Sequence, residues 1–126
     1  MDRKARWLLW GIYVVLWTTL LLMPARTIDN LPGVDLFEAR RYLIAKTLHV
    51  TAYAVMTILW GWLHVSARWR WLLVFFVMGH ATLTEHLQEF VPGRTGGLHD
   101  VGFDNIGIAI GLLLSWNWWV AERPDR

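Results

Sequence analysis

The stretch HATLTEHLQEFVPGRTGGLHDVGFDNIGIAIG, residues 80–111, holds most of the polar chemistry of this chain. Acids, histidines, a glutamine, an arginine and glycines crowd together in it, while most of the remaining chain is apolar or a short basic connector. Apolar segments flank the stretch, so its polar groups fall at the facing ends of two such segments. This pattern predicts a polar site at one face of a membrane protein.

Uncharged runs outside this stretch indicate the class of protein. The chain has 126 residues, of which 56% are hydrophobic and ten are tryptophan, a composition that is unusual for a soluble domain. No Asp, Glu, Lys or Arg occurs in residues 7–25, 47–67 or 105–121. Each run approaches the roughly 20 apolar residues that a helix needs to cross the hydrocarbon of a bilayer. A further segment, residues 71–91, is long enough but polar in its second half.

We therefore predict an all-α polytopic membrane protein with four transmembrane helices in a single domain. The domain covers residues 1–126, and its helices are expected at about residues 7–23, 43–65, 69–91 and 103–121. The alternatives are a soluble four-helix protein and, for the first segment alone, a signal peptide with a basic start. Runs this long are rare in soluble cores. The first run also lacks a clear small-x-small cleavage site.

Other functional classes are excluded by composition. The chain has no cysteine, so disulfides, thiolate nucleophiles and thiolate metal sites are absent. Its formal net charge is only +2 and its basic residues are dispersed at segment ends, so nucleic acid is not an expected partner. No motif of the sequence indicates a cofactor.

Basic and aromatic residues predict the orientation in the membrane. Seven basic residues would lie in cytoplasmic segments if the N-terminus were inside: Arg3, Lys4, Arg6, Arg68, Arg70, Arg123 and Arg126. The positive-inside rule then favours cytoplasmic N- and C-termini. Most tryptophans would gather at the same interface, where aromatic belts are found: Trp7, Trp10, Trp60, Trp62, Trp69, Trp71, Trp116, Trp118 and Trp119. The polar stretch would face the opposite side.

Three predicted helices bring polar side chains to that opposite side. Lys46, His49, Tyr53 and Thr57 recur every three or four residues on the second helix and fall within an arc of about 80°. The third helix ends with Glu85, Gln88 and Glu89, and the fourth begins with Asp100, Asp104 and Asn105. A series of small residues follows on the fourth helix, which predicts close approach of another helix: Gly107, Gly111 and Ser115.

These residues resemble those of the VanZ-like family of small bacterial integral membrane proteins, named for a glycopeptide-resistance accessory protein linked to teicoplanin. The resemblance rests on Lys46-x2-His49-x3-Tyr53, Glu85-x2-Gln88, Pro-Gly-Arg94, Asp100 and Gly107-x3-Gly111, over about two-thirds of the chain. Two positions depart from the family pattern. Ala45 stands where an acid is frequent, and Asp104 stands where the family asparagine is expected, one step before Asn105. The resemblance implies the bacterial cytoplasmic membrane and an envelope-associated role.

The polar residues leave several roles open. They could form a structural cluster in which Lys46 and Arg94 pair with acids. They could recognise an anionic amphiphile at the outer leaflet, with Arg94 as a fork for phosphate or carboxylate. They could catalyse acid–base chemistry on a lipid head group, with His49 and Glu85 as the candidate catalytic residues. A proton-coupled carrier is also conceivable, although four helices would then need to oligomerise. A metal site is not expected, because TEHLQE lacks the two-histidine spacing of the zincins and His80 and His86 point about 120° apart.

We expect recognition of an anionic, lipid-linked or glycopeptide ligand, with a membrane-embedded acid–base enzyme and a purely structural cluster as the alternatives. The expected partners are membrane lipids, a lipid-linked envelope precursor or glycopeptide, and further copies of the chain. The predicted ligand-binding residues come from three helices and one loop: Lys46, His49, Tyr53, Glu85, Gln88, Arg94, Asp100, Asp104 and Asn105.

Overall fold

The computed structural model describes residues 2–24, 38–63, 65–94 and 96–121, and within these ranges it consists of helices and the turns between them, with no strand. The all-α prediction is confirmed. The helices are α1 (Arg3–Leu21), α2 (Glu38–Gly61), α3 (Ala67–Gln88), α4 (Leu98–Leu114) and the short α5 (Trp116–Val120). Arg123 and Arg126, which support the predicted orientation, lie outside the described residues.

The helix ends follow from local chemistry. The Asp2 side chain caps α1 by accepting a hydrogen bond from the backbone N–H of Ala5 at 2.7 Å. The turn after α3 contains Gly93, whose φ of 77° is readily adopted only by a residue without a Cβ atom. The break between α4 and α5 falls at Ser115, whose hydroxyl donates to the carbonyl oxygen of Gly111 at 2.6 Å. The turn at Gly93 brings the charged residues at the end of α3 close to those at the start of α4.

The pair α2 and α4 forms the most extensive contact between helices. A Cβ atom added to Gly107 would lie 2.3 Å from the carbonyl oxygen of Val50, and one added to Gly111 would lie 2.5 Å from that of Ala54. Real Cβ atoms do not approach an oxygen so closely, so only glycine permits this backbone contact. The prediction that this small-residue series admits another helix is confirmed, and that helix is α2.

One helix meets the requirements of a membrane span. The segment Tyr42–Gly61 of α2 is long and apolar enough, with a mean hydropathy of 1.4. No other helix in the described part of the chain does so by length and composition. Helix α3 carries Arg68, Arg70 and Glu85, and α4 has only 17 residues. The prediction of four transmembrane helices therefore remains a prediction. Large apolar side chains nevertheless lie exposed on these helices, including Phe75 and Leu113.

The bundle has two chemically different ends, which hydrogen bonds and ring contacts define. At one, Trp10 stacks edge-on against Trp60 with ring centroids 4.1 Å apart, and Trp71 contacts Trp119 at 5.8 Å. We call this the tryptophan end: Trp7, Trp10, Trp60, Trp62, Trp71, Trp116 and Trp119. The other is the polar end: Lys46, His49, Glu85, Gln88, Arg94, Asp100 and Asp104. Helices α2 and α4 both run from the polar end to the tryptophan end.

Candidate functional site

The polar stripe of α2 faces the bundle interior. His49 and Tyr53 are buried, and the Lys46 side chain retains 15% of its accessible surface. Thr57, at the end of the stripe, is also buried and donates to the carbonyl oxygen of Tyr53. The glycines of α4 allow that helix to lie against this stripe, which explains why polar residues of α2 can reach the acids of α4.

Three buried groups from three helices meet at the centre of the polar end. His49 Nδ1 lies 2.9 Å from Asp104 Oδ1 and 3.6 Å from Glu85 Oε1. One ligand-type atom from each residue lies within 4.8 Å of the other two. Exposure is 6% for His49, 2% for Glu85 and 0% for Asp104. We refer to His49, Glu85 and Asp104 as the imidazole–carboxylate cluster.

The cluster leaves two carboxylate oxygens without a hydrogen-bond partner. Glu85 Oε2 accepts from the backbone N–H of Gly97 at 3.2 Å, which holds that carboxylate with Oε1 toward His49. Within the described residues, Glu85 Oε1 itself has no hydrogen bond, and neither has Asp104 Oδ2. A buried polar atom without a partner costs about 1–3 kcal/mol, and more when the group is charged. Such atoms in a folded protein are satisfied by a water molecule, an ion, a proton or a substrate.

Lys46 and Asp100 form an ion pair at the edge of the cluster. Asp100 lies in the first turn of α4, where the helix dipole also favours a negative charge. The ammonium group of Lys46 lies 5.1 Å from the ring centroid of Tyr42 and 5.7 Å from that of Phe103. Lysine, acid and aromatic rings therefore lie together at the rim of the polar end.

Arg94 and Gln88 bind the end of α1 rather than the cluster. Arg94 Nε donates to the carbonyl oxygen of Met23 at 3.0 Å and its Nη2 to that of Leu20 at 3.3 Å. Gln88 Nε2 donates to the carbonyl oxygen of Leu21 at 2.9 Å. Both side chains satisfy carbonyls that the helix end leaves open. The guanidinium fork expected to bind an anion is thus directed at backbone oxygens.

A separate chain of polar side chains joins α2, α3 and α1 through Tyr53, His80 and Thr18. The Tyr53 hydroxyl lies 3.0 Å from His80 Nδ1 and 3.1 Å from Thr84 Oγ1. His80 Nε2 in turn lies 2.8 Å from Thr18 Oγ1 on α1. His80, which was not among the predicted ligand-binding residues, therefore bonds the predicted site residue Tyr53, and α1 supplies its other partner.

Asp104 and Asn105 take different positions on α4. Asp104 is fully buried and bonds His49, whereas Asn105 is half-buried and donates to the carbonyl oxygen of Val101 in its own helix. Asp104 is thus the residue of this pair that faces the cluster. Helices α2 and α4 run parallel, so residues of similar sequence separation face each other: Lys46 faces Asp100, 54 positions later, and His49 faces Asp104, 55 positions later. This register places Asp104, and not Asn105, opposite His49.

The histidine that meets the buried acids is His49 of α2. The prediction that no metal site is present rested on the spacing of His80 and His86 within α3. His86 is exposed and lies 3.7 Å from the exposed Glu89, and His99 is exposed too. Because His49 lies on α2 and Glu85 on α3, the spacing of residues within one helix does not predict that they meet. The polar stripe of α2, together with the glycine series of α4, is the feature of the sequence that indicates it.

A surface depression lies at the opposite end of the bundle, lined by Arg3, Lys4, Trp7 and Val65. Its lining contains no member of the imidazole–carboxylate cluster, which lies at the polar end.

Comparison with known proteins gives one match. The family model described as VanZ/LLP1 matches residues 7–120, which includes all of the polar end. No curated protein and no solved structure matches the chain.

Proposed function

The chain belongs to the VanZ/LLP1 family, and we propose that its polar end carries out acid–base chemistry on the head group of a membrane amphiphile. One observation carries the proposal. His49 Nδ1 lies 2.9 Å from Asp104 Oδ1, with the Glu85 carboxylate 3.6 Å away, in a buried setting. Structural packing alone would favour an arrangement in which each carboxylate oxygen has a partner.

The roles of the three residues follow from their contacts. Asp104 accepts the hydrogen bond of the imidazole and so orients the ring of His49. The other ring nitrogen of His49 is then able to take a proton from a hydroxyl group or water, which is the usual task of a histidine general base. Glu85 faces the same ring nitrogen as Asp104, with one oxygen fixed by Gly97 and the other toward the ring. Its negative charge stabilises the imidazolium that forms when the ring takes the proton, and the ring nitrogen of His49 that took that proton then returns it to the leaving group.

The proposal places the protein in the cytoplasmic membrane of a bacterium with four spanning helices. Helix α2 has the composition of a span, and large apolar side chains such as Leu8, Val15 and Phe75 are exposed on α1 and α3. Such side chains favour contact with lipid over water. With both termini cytoplasmic, the polar end faces outward, where it can receive the head group of an envelope lipid.

Recognition without chemistry is the second candidate. Lys46 is partly exposed at the rim beside Tyr42 and Phe103. A cation next to aromatic rings suits an anionic head group on an apolar tail, as a lipid-linked envelope precursor or a lipoglycopeptide would offer. The acids argue against a simple anion site, because Glu85 and Asp104 would repel such a head group.

Substitution of histidines tests the proposal. We would incubate purified wild-type protein with total bacterial membrane lipids and follow head-group composition by mass spectrometry. His49→Gln is the test variant, and His86→Gln is the matched control because His86 is exposed on α3. We expect wild type and His86→Gln to convert a lipid class, while folded His49→Gln loses at least 100-fold in rate, the usual contribution of a general base.

The outcomes separate the candidates. A lipid that co-purifies with wild type but is never converted would favour recognition. Equal conversion by His49→Gln and wild type would overturn the acid–base assignment. Folding of each variant is checked by helical circular dichroism and a monodisperse size-exclusion profile.

A further inference from the structure

The imidazole–carboxylate cluster gathers more negative charge than its surroundings offset. The cluster contains the carboxylates of Glu85 and Asp104 and one imidazole, while Lys46 is already paired with Asp100. Glu85 and Asp104 are almost completely buried. Charged groups at such depth are stable only when a counter-charge lies next to them. A neutral imidazole does not supply one, and a protonated imidazole supplies only half of what two carboxylates require.

The open oxygens supply a second, independent observation. Asp104 Oδ2 and Glu85 Oε1 are buried and accept no hydrogen bond from any residue that the structure describes. The three candidate ligand atoms lie within 4.8 Å of one another, with His49 Nδ1 at 2.9 and 3.6 Å from the two nearest oxygens. Ligand atoms around a tetrahedral zinc ion with bonds of about 2.0–2.1 Å are about 3.3 Å apart. The observed separations bracket that value.

We propose that His49, Glu85 and Asp104 bind one divalent transition-metal ion. Three protein ligands leave a coordination position for water or a head-group oxygen, as in catalytic rather than structural sites. The hydrogen bond from Gly97 N–H to Glu85 Oε2 would act as a support that orients the ligand carboxylate. The charge of the ion equals that of the two carboxylates, so the buried cluster becomes neutral.

The donor set narrows the identity of the ion. One imidazole nitrogen and two carboxylate oxygens suit Zn²⁺, Mn²⁺ and Fe²⁺, since imidazole is a good ligand for zinc and iron and carboxylate for manganese. Mg²⁺ and Ca²⁺ prefer a set made of oxygen alone. Thiolate-bound ions are excluded because the chain has no cysteine.

The inference rests on the proposed function in that it assigns an ion to the same working site. When bound, such an ion lowers the pKa of a water molecule and polarises a phosphoryl or carbonyl oxygen. Nδ1 of His49 would then bind the ion instead of donating a hydrogen bond to Asp104, and a water molecule on the ion would replace His49 as the acid–base group. The ion also reconciles an anionic head group with an acidic site, because its positive charge offsets the carboxylates that would repel the head group.

Metal binding is measured on the purified full chain, without substrate. The protein in detergent is stripped with a chelator and then titrated with Mn²⁺, with free Mn²⁺ followed by electron paramagnetic resonance, and with Zn²⁺, with bound metal measured by mass spectrometry. Glu85→Gln removes a ligand charge with little change in shape. Glu89→Gln is the matched control, since Glu89 is exposed one turn further along the chain.

We expect one ion per chain in wild type and Glu89→Gln, and at least tenfold weaker binding in Glu85→Gln and His49→Gln. We also expect the ion to raise the melting temperature of wild type but not of Glu85→Gln. Equal affinity in Glu85→Gln and wild type would overturn the inference, because the ion would then lie elsewhere. No binding by wild type would also overturn it and would indicate that a proton, rather than a metal, serves the cluster.

The readouts keep this inference separate from the proposed function. Lipid conversion that requires His49 but proceeds in metal-free protein would leave the acid–base proposal standing and remove the ion. Stoichiometric binding that requires Glu85, with no conversion of any lipid, would support the ion and remove the acid–base proposal. Because both Glu85→Gln and His49→Gln are tested, a variant that fails to fold does not prevent a decision.

Discussion

The two ends of the bundle differ in which charged side chains they bury and in how these are hydrogen-bonded. At the tryptophan end, Arg70 is fully buried and donates to backbone oxygens at the end of α5. At the polar end, Arg94 donates in the same way to oxygens at the end of α1. Each end therefore uses an arginine to complete a helix terminus. The polar end also buries two acids, Glu85 and Asp104, and within the described residues each of these keeps one oxygen without a hydrogen bond.

This difference separates groups that hold the fold from groups that are available for chemistry. Among the described residues, the tryptophan end also has polar atoms without a hydrogen bond: the indole N–H groups of Trp10 and Trp60, and Nε of Arg6. The indoles are neutral, and the half-buried guanidinium of Arg6 donates through Nη1 to the carbonyl oxygen of Trp62, so these open atoms cost less than those of a buried carboxylate. Within the described part of the chain, buried carboxylates with an open oxygen lie at the polar end, an arrangement that is typical of a functional site.

The largest expected effect is on labelling from outside the cell: a reagent that does not cross the membrane should reach the polar end and not the tryptophan end. The chain has no cysteine, so single cysteines can be placed at exposed positions, Leu98→Cys at the polar end and Lys4→Cys at the other. In intact spheroplasts, a membrane-impermeant maleimide should label Leu98→Cys. It should label Lys4→Cys only after permeabilisation. The reverse pattern would invert the orientation, and labelling of both in intact spheroplasts would contradict a spanning arrangement.

The next effect concerns the glycines along the contact of α2 with its neighbours. A Cβ atom at Gly107 would meet the backbone of Val50, whereas one at Gly61 would meet the indole of Trp119. A backbone cannot move aside without separating two helices, but a side chain can rotate. We expect Gly107→Ala to reduce the free energy of unfolding by about 3 kcal/mol and Gly61→Ala by about 1–2 kcal/mol.

Reversible unfolding in mixed micelles measures both changes. Gly102→Ala is the control on α4, because nothing lies within 4 Å of the added Cβ atom. It should be neutral or stabilising by up to about 1 kcal/mol, since alanine favours a helix over glycine. Equal losses for Gly107→Ala and Gly102→Ala would show that close packing is not what holds the polar end together.

The smallest expected effect on stability is that of Asp104→Asn. The asparagine oxygen can still accept from His49, and the substitution removes a buried charge whose second oxygen has no hydrogen bond. Measured without metal, the free energy of unfolding should stay the same or rise by about 1 kcal/mol. A loss as large as that expected for Gly107→Ala would instead assign the cluster to structural pairing, and the functional proposals for the polar end would lose their basis.

Much of the polar end could be predicted from periodicity. The spacing of Lys46, His49 and Tyr53 places them on one face of a helix whatever the fold. Gly107 and Gly111 require a close neighbour for similar reasons. To predict that His49 pairs with Asp104, one must also know the register of α2 against α4. That register is determined by the contacts of Gly107 with Val50 and of Gly111 with Ala54. No property of either helix by itself contains that register.

The roles of Arg94 and α1 could not be predicted in this way. An arginine after a Pro-Gly turn has the same local sequence whether it binds a ligand or a carbonyl group. Its bonds to Leu20 and Met23 join residues more than 70 positions apart. The contact of Thr18 with His80 could not be predicted for the same reason, since these residues lie 62 positions apart.

The sequence by itself determined the helical class, the VanZ/LLP1 membership and the set of polar residues at one end, because apolar periodicity and residue spacing are local properties of the chain. Only the tertiary structure decided which of those residues are satisfied and which remain open. It assigned Arg94 and Gln88 to backbone oxygens, Lys46 to Asp100, and left oxygens of Glu85 and Asp104 beside His49. Hydrogen bonds are allocated among competing partners in space, so their allocation follows from packing and not from spacing along the chain.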